Sequence, residues 1–171
     1  FQGIPKGDKM ELIIQKMTEL GVYEIIPVAM KRCIVKLEDK KAKAKIARWQ
    51  GIAEAAAKQS KRAIVPQIRE VMSLAEALAY AEQMEVKLVP YEMEERLVGA
   101  SGMEGTRRAI ESIAVGQAVA VFIGPEGGFE EAEIQAAAAQ GVTPITLGKR
   151  ILRTETAGFT VMAWIMYFLE T

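Results

Sequence analysis

The sequence predicts an α/β protein whose mainly parallel sheet is flanked by helices. Strand-like and helix-like segments alternate along the chain, which is typical of parallel sheets built from βαβ units. Residues 118–123 form an unbroken apolar run rich in β-branched side chains, as expected for a strand buried on both faces of such a sheet. The 171 residues, of which 50% are hydrophobic, suffice for one domain with a complete core.

The individual elements are predicted from periodicity and from capping residues. Asp8 and Glu11 form a predicted capping box for the first helix, which Gly21 ends. Ser73 and Glu76 have the same spacing before a later helix. In chain order we expect helix 10–20, strand 23–28, helix 42–60, helix 74–83, strand 86–91, a loop with a short helix at 93–108, strand 118–123, helix 130–140, strand 143–147 and a terminal helix from residue 154.

The predicted strand 118–123 runs into a glycine-rich loop, residues 122–129, with the sequence FIGPEGGF. Gly124, Gly127 and Gly128 place no side chain between the backbone and a ligand, so a ligand can contact the main chain there. Acidic residues at 130, 131 and 133 complement the positive end of the following helix but would repel a phosphate group. Neither a Walker loop nor the G-x-G-x-x-G fingerprint of dinucleotide-binding proteins is present.

A second loop, residues 147–157 with the sequence LGKRILRTETA, repeats this layout after another strand. It is basic where the loop 122–129 is acidic. Two glycine-containing loops at the C-terminal ends of strands are where ligands bind in open α/β sheets. The alternative interpretation is that both loops are ordinary strand-to-helix turns.

Composition excludes several kinds of chemistry. The absence of histidine removes Ser-His-Asp triads, histidine general bases and nearly every transition-metal site, so we expect no metal. The single cysteine, Cys33, excludes an internal disulfide and fits a reducing cytoplasm. The longest apolar stretch, 157–169, is shorter than the roughly twenty residues of a membrane-spanning helix.

Charge is unevenly distributed although the net charge is zero. Residues 31–62 contain eleven Lys or Arg and three Asp or Glu (11 − 3 = +8), and residues 76–133 contain four and twelve (4 − 12 = −8). A basic stripe indicates a nucleic-acid partner. The same charges are also compatible with the solvated face of a helix.

The predicted terminal helix is apolar on nearly every side, between Phe159 and Leu169. A helix without a polar face has to be covered, either by the core or by a second subunit. We therefore expect a homodimer.

Four blocks of sequence, in order, resemble the RsmE family of ribosomal RNA uridine N3-methyltransferases, which belongs to the SPOUT superfamily. The blocks are PKGDKME at 5–11, KMTELG at 16–21, IGPEGGF at 123–129, and LG at 147–148 with ILRTETA at 151–157. The resemblance implies a C-terminal deep trefoil knot, S-adenosylmethionine bound in the knotted loops, and a homodimer that acts on 16S rRNA of the small ribosomal subunit in the cytoplasm. Family members also have an N-terminal PUA-like domain, so residues 1–171 correspond to the methyltransferase domain alone.

The resemblance, together with side-chain chemistry and charge, gives candidate roles to residues of this sequence. Arg153 is the first candidate for stabilising the charge that develops on the uracil, and Glu155 is the second, as a base or as the partner that orients Arg153. The alternative is that these two form a structural pair at the start of the terminal helix. The expected cofactor-binding residues are Val89, Pro90, Gly124, Pro125, Glu126, Gly127, Gly128, Leu147, Gly148, Ile151 and Leu152, and the expected RNA-binding residues are Lys31, Arg32, Lys58, Lys61 and Arg62.

Three other functions stay open on the sequence. The protein could methylate another base or a ribose 2′-OH, or it could be a non-catalytic RNA-binding or ribosome-assembly module with a vestigial pocket. A nucleotide-hydrolysing enzyme is the most remote of the three, because no lysine follows the glycine loop.

Overall fold

The structure of the protein, a computed structural model, describes residues 1–35, 39–91 and 102–170. These residues form an α/β fold, as the alternation of segments predicted. The strands are β1 Gln2–Gly3, β2 Glu24–Ile25, β3 Pro27–Ala29, β4 Gln67–Ile68, β5 Met72–Ser73, β6 Val86–Pro90, β7 Val119–Val121 and β8 Thr143–Ile145. The helices are α1 Lys9–Glu19, α2 Asp39–Gln59, α3 Leu74–Tyr80, α4 Gly102–Glu111, α5 Glu131–Ala139 and α6 Thr154–Leu169, and a 3-10 turn, Ala81–Gln83, follows α3.

Every strand pair in the described part of the chain is parallel, which confirms the predicted mainly parallel sheet. Strand β3 lies between β1 and β5, and β6 lies between β7 and β8. A parallel bridge between Gln2 and Ile123 joins these two sheets, and the N–H of Gly3 donates to the Ile123 carbonyl at 2.7 Å. The resulting strand order is β8-β6-β7-β1-β3-β5, with β2 and β4 as a separate pair.

The sheet register brings three strand ends to one edge. Leu88 of β6 is opposite Val121 of β7, and Pro90 of β6 is opposite Ile145 of β8. Because these strands are parallel, their C-terminal ends meet, and the segments that follow them start side by side. This edge is where the two glycine-containing loops begin.

The predicted capping boxes had different outcomes. Ser73 accepts a hydrogen bond from the Glu76 N–H, and the Glu76 carboxylate accepts one from the Ser73 N–H, which confirms the box before α3. The box predicted before α1 is wrong. Asp8 precedes the helix but its side chain makes no capping hydrogen bond, because its φ of −94° and ψ of 9° differ from the extended conformation of a capping residue.

Three apolar clusters form the core of the described part of the chain. One packs Phe122 and Ile134 against Val28 of β3, and a second joins Ile14 of α1 to Trp49 of α2. The third lies between the β6–β8 sheet, α4 and the buried face of α6. The loop expected at 93–108 falls largely outside the described residues, and its last part is the start of α4.

Among the described residues, one side of the terminal helix α6 is buried and the other is largely exposed. Gly158, Val161 and Ile165 are buried against α1 and the third cluster, whereas the Tyr167 side chain is 67% exposed. Among the described residues, no helix has both the length and the apolar character needed to cross a membrane.

Arg62 holds the chain at the end of α1. Its Nη1 donates to the carbonyl oxygens of Thr18 at 2.8 Å and Val22 at 2.9 Å, and its Nη2 donates to that of Gly21 at 3.2 Å. Burial lowers the pKa of this guanidinium. Arg62 thereby fixes the turn that ends α1 through three carbonyl oxygens, of which that of Thr18 also accepts the Gly21 N–H.

We expect Arg62→Met to lower the free energy of unfolding by about 2 kcal/mol, because three carbonyls lose charged donors. The measurement is urea unfolding followed by circular dichroism. Lys58→Met is the matched control, since Lys58 is exposed, and it should change stability by less than about 0.5 kcal/mol. Equal effects of the two substitutions would contradict this structural role.

Candidate functional site

The two glycine-containing loops line one cavity of about 640 Å³ at the C-terminal edge of β6, β7 and β8. We call residues 122–129 the first glycine loop and residues 147–157 the second glycine loop. The lining residues are Lys9, Arg32, Pro90, Tyr91, Ile123, Gly124, Pro125, Glu126, Gly127, Gly128, Phe129, Glu131, Thr146, Leu147, Gly148, Arg150, Ile151, Leu152, Arg153, Thr154 and Ala157.

A tight turn and a contact with Arg32 shape the first glycine loop. The N–H of Gly128 donates to the Pro125 carbonyl at 2.9 Å, and Arg32 Nη1 donates to the Gly127 carbonyl at 3.0 Å. A Cβ atom on Gly127 would lie 2.9 Å from the Arg32 Cβ, closer than carbon atoms can pack. Glycine at this position is therefore required by the approach of Arg32.

The second glycine loop starts from a pair of threonines. The Thr106 hydroxyl donates to the Thr146 carbonyl at 2.9 Å and accepts from the Thr146 N–H at 3.0 Å, which joins α4 to the end of β8. Gly148 then has φ +97°, a left-handed conformation that favours glycine. The chain consequently turns sharply after Leu147 and follows the cavity wall.

Thr154 and Gln2 join the two loops inside the protein. The Thr154 hydroxyl, at the start of α6, donates to the Gly124 carbonyl at 2.6 Å. It accepts from Gln2 Nε2 at 2.8 Å, and the same amide group donates to the Gly3 carbonyl at 2.9 Å. Thr154 and Gln2 are both buried, so these bonds are shielded from water.

The acidic residues after the first glycine loop bind neighbouring backbone. Glu133 is buried; its Oε1 accepts from the Lys31 N–H at 3.0 Å and its Oε2 from the Glu130 N–H at 2.8 Å. In addition, Lys31 Nζ forms an ion pair with Glu130 Oε2 at 3.6 Å. The segment that carries Arg32 is thereby fastened to the start of α5.

Lys9, Glu126 and Glu155 form a second charged cluster, at the cavity wall. Lys9 Nζ is 3.0 Å from Glu126 Oε1 and 3.5 Å from Glu155 Oε2. Partial burial tends to raise the pKa of Glu126, but hydrogen bonds from the N–H groups of Lys6 and Glu126 and from the Lys9 ammonium outweigh it. The pKa of this carboxyl is therefore below its ordinary value.

Ten of the eleven predicted cofactor-binding residues line the cavity. Five belong to the first glycine loop and four to the second, and Pro90 forms the end of β6. Val89 differs from the others. Its side chain is 1% exposed and belongs to the core, because alternate residues of a strand point to opposite faces of the sheet.

The two predicted catalytic residues have different surroundings. Arg153 is exposed and lines the cavity, and it caps α6 by position without a capping hydrogen bond from its side chain. Glu155 does not line the cavity and is paired with Lys9, so the predicted Arg153–Glu155 pair is replaced by a Lys9–Glu155 pair.

The predicted RNA-binding residues fall into three environments. Arg32 lines the cavity, and Lys31 is exposed beside it. Lys58 and Lys61 are exposed at the end of α2 and do not line the cavity. Arg62 donates to the carbonyls of Thr18 in the last turn of α1 and of Gly21 and Val22 just after it, which gives it a structural role that its sequence position did not indicate.

Several lining residues were missed by sequence reasoning. Lys9 lies in the block at 5–11, which resembles the family but gave this lysine no role, and Tyr91 follows Pro90 at the end of the predicted strand 86–91. Phe129 and Arg150 lie within the two loops and could have been found from that proximity alone. Thr154 lies in the motif at 151–157, but its bond to Gly124 depends on the fold.

Metal and cysteine chemistry find no support in this part of the protein. Among the described residues, no three His, Cys, Asp or Glu side chains are grouped so that they could hold a metal ion. Cys33 is buried, and burial raises the pKa of its thiol, which disfavours the nucleophilic thiolate.

The chain is similar to known RNA methyltransferases. The RNA methyltransferase domain family matches residues 1–166. The ribosomal RNA small subunit methyltransferase E of Bacillus subtilis (strain 168) is 41% identical over 168 residues, which cover 98% of this chain and 64% of that protein. The corresponding protein of Mesomycoplasma hyopneumoniae (strain 232) is 37% identical over 162 residues, which cover 93% of this chain and 64% of that protein.

Solved structures with bound S-adenosylmethionine also superpose on this chain. A ribosomal RNA small subunit methyltransferase E from Neisseria gonorrhoeae, crystallised with S-adenosyl methionine, superposes with a TM-score of 0.80 at 36% identity and covers 98% of this chain and 64% of its own. A Legionella pneumophila protein, solved in complex with the bound cofactor SAM, gives a TM-score of 0.83 at 33% identity and covers 97% of this chain and 64% of its own. The chain thus spans just under two thirds of the length of these relatives.

We expect Thr154→Val to lower the free energy of unfolding by about 2 kcal/mol, because the Gln2 amide and the Gly124 carbonyl lose a partner in a buried place. Thr154→Ser keeps the hydroxyl and should recover most of this loss. Thr156→Val, at an exposed position on the same helix, is the control for β-branched substitution. Urea unfolding measures all three, and a Thr154→Val protein as stable as the Thr156→Val protein would contradict the role of this bond.

Proposed function

The chain belongs to the RNA methyltransferase domain family, and from this premise we propose that it transfers a methyl group from S-adenosylmethionine to N3 of a uridine in 16S rRNA. One observation carries the proposal: loops that lie about twenty residues apart in sequence converge on a single cavity at the edge of a parallel sheet. Relatives that carry the name ribosomal RNA small subunit methyltransferase E support the choice of substrate.

The size and lining of the cavity are compatible with S-adenosylmethionine. Its volume of about 640 Å³ lies within the range of small-molecule sites. Apolar side chains such as Leu147 and Leu152 suit an adenine ring, and the glycine backbone of the first loop allows close contact with the methionyl part. Two solved relatives contain this cofactor.

When bound, S-adenosylmethionine supplies a methyl group that is already activated as a sulfonium, so the leaving group needs no proton. Because N3 loses its proton to water before it takes the methyl group, the residues of the chain have to position the uracil and favour the deprotonated form of its N3. Arg153 suits this task because a planar guanidinium can hold a uracil carbonyl oxygen and stabilise negative charge on it. Its place at the cavity, with a side chain not used for capping α6, supports the assignment.

We assign Glu155 an indirect role. A general base would have to reach the uracil N3 itself or through one water molecule. The Glu155 carboxylate pairs with Lys9 and does not line the cavity, which favours a role in orienting the start of α6.

The cationic side chains around the cavity support an RNA substrate. Lys9, Arg32, Arg150 and Arg153 line it, against two glutamates, Glu126 and Glu131, in the described residues. We propose that Lys31 and Arg32 contact rRNA phosphates near the target base, and that Lys58 and Lys61 form a second contact at the end of α2.

We further propose a SPOUT fold with a C-terminal trefoil knot. Strand β8 lies on the far side of β6 from β7, yet the chain returns after β8 to bond Thr154 to Gly124, which follows β7. Such a return past the end of β6 is what threading of the terminal segment would require.

A homodimer would cover the remaining apolar surface. A cavity of about 490 Å³ runs between α1, the β7 region and α6, with Met17, Met162 and Met166 in its walls. We propose that a second copy of the chain covers the exposed side of α6.

We also propose that the protein acts on the small ribosomal subunit in the cytoplasm.

The proposed reaction can be tested directly. Titration calorimetry with S-adenosylmethionine should give heat and saturation, and incubation with small subunits that lack the modification should add one methyl group to one uridine. Mass mapping of the 16S rRNA, followed by nucleoside chromatography against N3-methyluridine, identifies the product. Absence of heat would support the vestigial-pocket alternative, and a methyl group on a ribose or on another base would overturn the N3 assignment.

Arg153→Ala should lower the turnover number by about a hundredfold, because one charged donor to the reacting base is lost. The dissociation constant for S-adenosylmethionine should stay within about threefold, since Arg153 is assigned to the uracil. Lys149→Ala is the control, as Lys149 is exposed in the same loop and does not line the cavity. A parallel loss of cofactor binding would show that Arg153 maintains the cavity instead.

RNA affinity should fall steeply with salt concentration, because each neutralised phosphate releases counterions. Lys58→Ala and Lys61→Ala should each flatten the slope of log K against log[salt] by about 0.7 to 0.9. Lys87→Ala, in the acidic part of the sequence, should leave the slope unchanged. A filter-binding series between low and physiological salt measures this slope. If neither substitution changes it, Lys58 and Lys61 face solvent and do not contact RNA.

A further inference from the structure

Lys9 connects the two halves of the cavity. It is the first residue of α1, its side chain is 30% exposed, and it lines the cavity. Its ammonium lies 3.0 Å from a carboxylate oxygen of Glu126, in the first glycine loop. It also lies 3.5 Å from a carboxylate oxygen of Glu155, in the second glycine loop at the start of α6. One cation therefore contacts both loops from a third element.

Glu155 depends on this contact. Its side chain is 15% exposed, and its Oε2 is buried without a hydrogen-bond partner among the described residues. The distance of 3.5 Å to Lys9 Nζ is an ion-pair distance at which the geometry of a hydrogen bond is not met. Because a buried carboxylate oxygen without compensation is costly, the nearby ammonium is what stabilises Glu155 in this position.

Glu126 is held from the same side. Its Oε1 accepts the N–H of Lys6 at 3.0 Å as well as the Lys9 ammonium. The turn before α1 and the first residue of the helix thus bind the same carboxylate oxygen. This contact fixes the first glycine loop against the start of α1, which does not belong to either loop.

We propose that Lys9 is a positioning residue for methyl transfer, which holds the first glycine loop and the start of α6 at the separation that the cofactor and Arg153 require. The inference rests on the proposed function. Arg153 lies two residues before Glu155 in the same turn of chain, so a displacement of Glu155 moves the Arg153 backbone with it. Loss of the cation would leave Glu126 and Glu155 without the ammonium that both carboxylates contact.

The same contacts would exist if Lys9 served stability alone, so the test has to separate stability from cofactor binding. Lys9→Met removes the charge and keeps most of the side-chain length, and Lys9→Arg keeps the charge. Lys16→Met is the matched control: Lys16 lies on the same helix, and its ion pair of 2.9 Å is to Glu19, outside the cavity. Each variant is titrated with S-adenosylmethionine and unfolded with urea.

Lys9→Met should weaken cofactor binding about tenfold, which corresponds to about 1.4 kcal/mol. Lys9→Arg should bind within about threefold of the unsubstituted chain, and Lys16→Met should bind as tightly as that chain. Unchanged cofactor affinity in a folded Lys9→Met protein overturns the inference, even if its stability falls. Failure of Lys9→Arg to recover binding also overturns it, because a cation at this place would then not suffice.

A double-mutant cycle with Glu155→Gln tests the connection itself. If Lys9 acts through Glu155, the double variant should bind the cofactor no more weakly than Lys9→Met alone. Effects that multiply would mean that the two residues act independently, and would overturn the inference. An unsubstituted chain that gives no heat with S-adenosylmethionine overturns the proposed function and this inference together, whereas binding by that chain and by Lys9→Met alike overturns the inference only.

Discussion

The hydrogen bond from the Thr154 hydroxyl to the Gly124 carbonyl is the interaction on which the site depends. It joins residues 30 apart in sequence, one after β7 and one at the start of the terminal helix. Gln2, which is 152 residues from Thr154 in sequence, completes the group by donating to the same hydroxyl. Since the group is buried, breaking it would leave polar atoms without partners, and the two glycine loops are thereby kept on one cavity.

The parallel sheet makes this meeting possible. Strands β6, β7 and β8 end at the same edge because each neighbour runs in the same direction, so the segments after Pro90, Ile123 and Ile145 form three walls of one space. The bridge between Gln2 and Ile123 extends the sheet toward β1, which brings Lys9 and the start of α1 to the fourth side. The loops contribute backbone and apolar surface, and α1 contributes charge.

The sequence was informative where the signal is local. The apolar run at 118–123, the glycines of both loops and the capping box of Ser73 and Glu76 each act within a few residues, and the family resemblance, which the relatives confirm, depends on such blocks. The sequence was uninformative where the residue that a side chain contacts lies far along the chain. Arg62 lies in a basic stretch that predicts RNA binding, but its guanidinium donates to carbonyls 40 to 44 residues away. Glu155 pairs with Lys9 of the first helix. Asp8 has the right spacing for a cap but the wrong backbone conformation.

The uneven charge of the sequence acquires a structural meaning at the rim of the cavity. Lys31 and Arg32 open the basic stretch, and Glu130 and Glu133 close the acidic one; in the fold these ends meet, through Lys31 with both glutamates and through Arg32 with the Gly127 carbonyl. The acids that argued against a phosphate in the first glycine loop therefore hold a cationic segment beside it. Since the acidic side chains are used in these contacts, Arg32, Arg150 and Arg153 can face a polyanion while the glycine backbone faces an uncharged or cationic group. The proposed function, in which RNA and a sulfonium cofactor meet at one site, requires this separation.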